Sequence, residues 1–96
     1  MDERLLLVED DASIRELTSL GLRQAGFRVT TAADGREGLM RAQQPAFDLV
    51  ILDIMLPGLD GLQVARELRK TSLVPILMLT ARTDTIDVVV GLECGA

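Results

Sequence analysis

The chain predicts an α/β fold in which a parallel sheet is covered by helices on both faces. Three observations carry that prediction. Apolar runs and segments of helical spacing alternate along the chain. The runs, Leu5 to Val8, Leu49 to Leu52 and Ile76 to Leu79, are nearly continuous, as in strands buried on both faces. Glycine, proline and aspartate punctuate the joins. At 96 residues there is room for one domain with one modest core.

The first strand is Leu5-Leu6-Leu7-Val8, running into Glu9-Asp10-Asp11. Ile14, Leu17, Thr18, Gly21, Leu22 and Ala25 then recur at helical spacing. Asp11 is one N-cap candidate and Ser13 with Glu16 a capping box is the other. Gly21 costs about 1 kcal/mol against alanine inside a helix, so close packing is expected there. Gly26 suits the helix end. Phe27 to Ala32 forms a second strand. Asp34 caps a second helix that Pro45 ends. Leu49 to Asp53 is the third strand, Gly61 to Lys70 a third helix preceded by Asp60 as a helix-cap or loop residue, and Ile76 to Thr80 the fourth strand. Thr83 or Asp84 caps a last helix through Glu93.

Composition narrows the chemistry. The apolar share is 48%, with no Trp, Tyr or His and two Phe, so the core is aliphatic and histidine chemistry is excluded. The lone Cys94 cannot form an internal disulfide and is expected to be a small packing residue near a helix end, which fits a reducing cytoplasm. No apolar run approaches the roughly 18 residues of a membrane span, and no signal-peptide pattern opens the chain. A dispersed net charge of −5 disfavours nucleic-acid binding by this segment.

In open parallel sheets, ligands sit beyond the C-terminal strand ends. Glu9-Asp10 end strand one, Asp53 ends strand three, and Thr80-Ala81 end strand four, so three carboxylates and a hydroxyl converge on one crevice. Clustered carboxylates repel unless a cation sits among them. Oxygen ligands without His or Cys suit Mg2+, and a carboxylate such as Asp53 can act as a nucleophile toward a phosphoryl group.

Through LLVEDD (residues 6 to 11), DLVILDIMLPGLDG (48 to 61) and VPILMLTA (74 to 81), the chain resembles the receiver domain of bacterial two-component response regulators. MLPGLDG with LTARTDTIDVVVGLECGA is most similar to the OmpR/PhoB-like subgroup, which carries a winged-helix DNA-binding domain. The resemblance implies a flavodoxin-like (CheY-like) doubly wound sheet of strand order 2-1-3-4. It implies Asp53 as phospho-acceptor, Asp10 as a direct Mg2+ ligand, Glu9 as a ligand through water, and the Met55 backbone carbonyl as a further ligand. Thr80 would be the hydroxyl that senses the phosphoryl group, Ala81 the small residue that leaves it room, and Pro57-Gly58 the turn after the acceptor. A sensor histidine kinase is the implied phosphodonor, with Arg15, Thr18, Leu22 and Leu56 as candidate pairing positions. The implied activity is regulatory, limited to autophosphorylation and hydrolysis of the aspartyl phosphate.

The family continues with a fifth strand, a lysine-bearing motif and a fifth helix. No lysine follows Lys70 here, and Lys70 is poorly placed to replace it. A longer parent protein is expected, residues 1–96 being a receiver domain without its last strand and helix and the DNA-binding domain lying elsewhere. An open edge on strand four would recruit a strand from another copy, so dimerisation or strand exchange is expected. Two other functions fit parts of the pattern. A haloacid-dehalogenase-like phosphohydrolase needs a second acid two residues after the nucleophile, where this chain has Met55. A receiver-like interaction module that never accepts phosphate would not need Glu9, Asp10, Asp53 and Thr80.

Overall fold

The computed structural model describes residues 2–44, 46–53, 56, 60–79 and 86–88. Eight elements follow in order: β1 (Arg4–Val8), α1 (Ala12–Gln24), β2 (Arg28–Ala32), α2 (Gly35–Ala42), β3 (Leu49–Asp53), α3 (Gly61–Arg69), β4 (Ile76–Leu79) and β5 (Ile86–Val88). The sheet order is β2-β1-β3-β4-β5, and β1 to β4 are mutually parallel, as the sequence predicts.

Both sheet faces are covered, by different helices. Leu6, Val8, Val50, Leu52, Ile76 and Met78 form the larger core with Val64, Ala65 and Leu68 of α3 and Ala42 of α2. Leu5, Leu7 and Ile51 point the other way, toward Leu22 of α1, Phe27 and Val29. Alternate strand residues thus serve opposite faces, which is why the runs are continuously apolar. Each fully buried Leu or Val contributes roughly 1.5–3 kcal/mol.

The caps set where the helices begin. The Ile14 N–H donates to Asp11 Oδ1 at 3.0 Å, so Asp11 caps α1 and the Ser13–Glu16 box does not form. Glu37 N–H donates to Asp34 Oδ1 at 2.8 Å. At α3 the cap is reciprocal: Gln63 N–H donates to Asp60 Oδ1, and Asp60 N–H to Gln63 Oε1. Gly26 closes α1 at φ +104°, a conformation that side-chain-bearing residues rarely adopt.

Two expectations change. Gly21 is exposed with nothing within 4 Å of an added Cβ, so no close packing explains it. The helical stripe of α1 is also only partly buried. Leu22 packs on the sheet, while Ile14 and Leu17 are 51% and 70% exposed. A 13-residue helix lying on a narrow sheet face touches it along a stripe thinner than its apolar arc.

A third difference lies at the sheet edge. Residues 86–88, expected to open a fourth helix, form β5, antiparallel to β4 with Leu77 opposite Val88 and Leu79 opposite Ile86. Ile86 and Val88 are β-branched and favour the pleated backbone. The edge of β4 offers unpaired N–H and C=O groups, which this segment satisfies. Being antiparallel, it departs from the all-parallel sheet that the sequence predicts. The remainder of the expected helix, with Thr83, Asp84 and Cys94, lies outside the described residues. Among those residues, no helix is long and apolar enough to cross a membrane.

Candidate metal and phosphoryl site

The site is assembled by strand register. Val8 pairs with Leu52 across β1 and β3, so the residues that follow, Glu9 and Asp53, emerge side by side at one edge. Val8 also pairs with Ala32, and the Glu9 N–H donates to the Ala32 carbonyl at 3.1 Å, prolonging the ladder one residue beyond the strand. Carboxylate oxygens of Glu9, Asp10 and Asp53 lie within 4.8 Å of one another. Glu9 and Asp53 are 6% and 8% exposed, whereas Asp10 faces solvent. Two walls of the cluster are therefore protein and one is open to water, which suits a cation that retains part of its hydration shell.

Further contacts hold the acids in position. Asp11 N–H donates to Glu9 Oε2 at 3.0 Å. From the first turn of α1, Arg15 Nη1 donates to the Glu9 carbonyl at 2.9 Å and to the Asp10 carbonyl at 3.4 Å. The guanidinium grips the backbone that carries both acids, a role beyond the kinase pairing for which the sequence makes Arg15 a candidate. The five- and six-residue spacing from Asp10 and Glu9, one turn past the Asp11 cap, was the available signal.

Burial pushes the Glu9 carboxyl above the ordinary glutamate range, against the lowering effect of the Asp11 N–H; the Asp53 and Asp10 carboxylates push it further up. With its protonated form favoured by folding, the native chain binds more protons than the unfolded chain between the ordinary value near 4.3 and the raised one. That contribution is fully present below the ordinary value and is lost as pH rises through the raised one. Glu37 acts in the opposite sense, because the Ala33 N–H and Arg41 hold its carboxyl low; its contribution is lost as pH falls. A Glu9→Gln comparison isolates the first effect. In chelator, the variant's advantage in thermal midpoint over the unaltered chain is expected to be greatest at pH 7 and to shrink as pH falls toward 4.3. A constant or widening gap refutes it. Metal binding has the reverse sense, since a ligating Glu9 must be charged.

Residues 5–96 match the model of the response regulator receiver domain. The chain belongs to the response regulator receiver domain family. It is 56% identical over 94 residues to the transcriptional regulatory protein AfsQ1 of Streptomyces coelicolor, covering 96% of this chain and 41% of that protein. It is 51% identical over 96 residues to the DNA-binding response regulator MtrA of Mycobacterium tuberculosis, covering 100% of this chain and 42% of that one. This receiver domain thus spans about two fifths of the length of those curated relatives. Among solved structures, the receiver domain of sensor histidine kinase PA1611 from Pseudomonas aeruginosa matches with a TM-score of 0.81 and 36% identity. The match covers 85% of this chain and 70% of that one, which has a magnesium ion coordinated in its active-site cleft.

Of the residues expected at the receiver site, Glu9, Asp10 and Asp53 come together. Met55, Pro57-Gly58, Thr80 and Ala81 lie outside the described residues. Lys70 is the C-cap of α3, at the helix end away from the strand tips, and its Nζ lies 3.0 Å from Glu67 Oε2.

Proposed function

We propose that this chain is the phospho-accepting module of a longer bacterial transcription regulator, with Asp53 taking a phosphoryl group from a sensor histidine kinase in the cytoplasm. One observation carries the reading: three carboxylates from two adjacent strand ends lie within 4.8 Å of one another, and two of them are buried. Such a cluster is costly by itself and becomes useful when a divalent cation offsets its charge. Glu9, Asp10 and Asp53, with the Met55 carbonyl, would hold Mg2+. Oxygen donors from carboxylates, a carbonyl and water match its preferences, and the bound ion would offset charge on the acceptor and phosphoryl oxygens.

This chain's own part is positioning. β3 ends in the Asp53 carboxylate at the C-terminal edge of the sheet, which a phosphodonor would approach in line. Phosphoryl transfer depends on such placement and on charge neutralisation more than on covalent help from the protein. Glu9, fixed by the Asp11 N–H, and Asp10, fixed through Arg15, keep their oxygens beside it. Thr80 would donate its hydroxyl to the new phosphoryl oxygens, and that movement would bias the surface read by a DNA-binding domain elsewhere in the protein, directly or through self-association.

Incubation with acetyl phosphate and Mg2+ is expected to add one phosphoryl mass per chain, and chelator to prevent it. If neither this chain nor its longer parent gains that mass, the reading is overturned. Steady release of product from a phosphomonoester would favour the phosphohydrolase instead.

A further inference from the structure

The N-terminal ends of the strands, opposite the acidic edge, hold a second concave site. Arg4 opens β1 and Arg28 opens β2, and the two are paired in register on adjacent parallel strands. Arg4 alternates with Leu6 and Val8, and Arg28 with Thr30 and Ala32, so both arginines belong to the sheet face covered by α2. Arg41 from the last turn of α2 joins them. With Thr30, Gln44 and Phe47 these three residues line a cavity of about 320 Å³, near the lower end for small-ligand sites.

The charge there runs against the chain as a whole. Three arginines line this cavity in a chain of net charge −5, and no acid is among the lining residues described. Like charges on paired strands repel. Two acids offset part of this. Asp2 Oδ1 lies 3.7 Å from Arg28 Nε with both side chains largely exposed, and Glu37 Oε2 lies 3.0 Å from Arg41 Nε. Both contacts use Nε. Asp48 Oδ2 accepts from the Arg4 backbone N–H at 2.9 Å, which sets a third carboxylate beside the start of β1.

The geometry points to a binding site for a small organic phosphate, its phosphoryl end held by Arg4, Arg28 and Arg41 and its organic part against the half-buried Phe47 ring. Guanidinium forks match phosphate oxygens in pairs, and three of them suit a dianion or a diphosphate. The Thr30 hydroxyl and Gln44 amide supply further polar partners. The aromatic wall favours an ester over the free inorganic ion. A concave site with three cations is too small for the broad basic face that a nucleic acid or membrane surface requires.

The test is titration of the full chain with ADP, followed by amide chemical shifts at low and at higher salt. Saturable shifts centred on Arg4, Thr30, Gln44 and Phe47 are expected, weakened at least about tenfold by Arg28→Gln or Arg41→Gln. Asp53→Asn, at the other sheet edge, leaves them unchanged. The arginine variants must retain the wild-type thermal midpoint within a few degrees; Arg28→Lys, which keeps charge without the fork, should bind at intermediate strength. Pyrophosphate alone is expected to compete at the same residues more weakly. No saturable shift up to about 10 mM ADP, equal shifts in the arginine variants, or binding to anionic lipid vesicles without binding to ADP overturns the assignment.

Discussion

An Asp53→Asn variant is expected to take up no phosphoryl group from acetyl phosphate under conditions that load the unaltered chain, with intact mass as the readout. The same substitution is expected to make the metal-free protein more stable. Asp53 is a buried carboxylate whose charge helps push Glu9 toward its protonated form. At separations below 4.8 Å, and with the screening that an exposed Asp10 implies, relief of that repulsion is worth on the order of 1 kcal/mol. Saturating Mg2+ should reverse the order, because bound metal stabilises the native state in proportion to its affinity and an amide is a weaker ligand for a hard cation. The signature is a crossing: the variant melts above the unaltered chain in chelator and below it in Mg2+. A variant that melts lower in both conditions would mean that the acids are held together for structural reasons.

The parallel sheet and the acidic edge were legible because both rest on local pattern. Continuous apolar runs report burial on two faces, and an acid at the end of such a run has only one place to point. Asp34 was legible as a cap for the same reason, since an N-cap contact spans three residues; Asp11 and Asp60 were legible as candidates that the structure makes caps. What was not legible depends on contacts between elements. Whether Gly21 meets a neighbour is decided by the tilt of α1 on the sheet, not by its neighbours in sequence. Ile86 and Val88 favour a strand, but three residues are too short a run to read as one from sequence, and it is the open edge of β4 that makes them a strand. The grip of Arg15 on the Glu9 and Asp10 carbonyls needs the turn between β1 and α1 to be built first. The arginines beneath the sheet come together only once β1, β2 and α2 are in register.

Gly38 joins fold and site, and its replacement should reveal both. An ideal Cβ built there lies 2.7 and 2.8 Å from Val8 Cγ2 and Cγ1. Val8 is fully buried and β-branched, so its methyls cannot swing aside cheaply. α2 must lift from β1, or β1 must shift where Glu9 begins. Overpacking of this kind costs about 1–3 kcal/mol. Gly38→Ala recovers up to about 1 kcal/mol of helix propensity, whereas Gly38→Val recovers less and adds two methyls. The alanine variant is therefore expected to lose about 1 kcal/mol and the valine variant about 2–3 kcal/mol, a drop of 4–8 °C per kcal/mol in a domain of this size. Gly21→Ala is the internal control, because its Cβ meets nothing within 4 Å and the propensity gain should raise the midpoint. If the two alanine variants shift the midpoint in the same direction, the close approach of α2 to β1 is wrong. If Gly38→Val also weakens Mg2+ binding while Gly21→Ala does not, the packing behind Val8 is what holds Glu9 in register with Asp53.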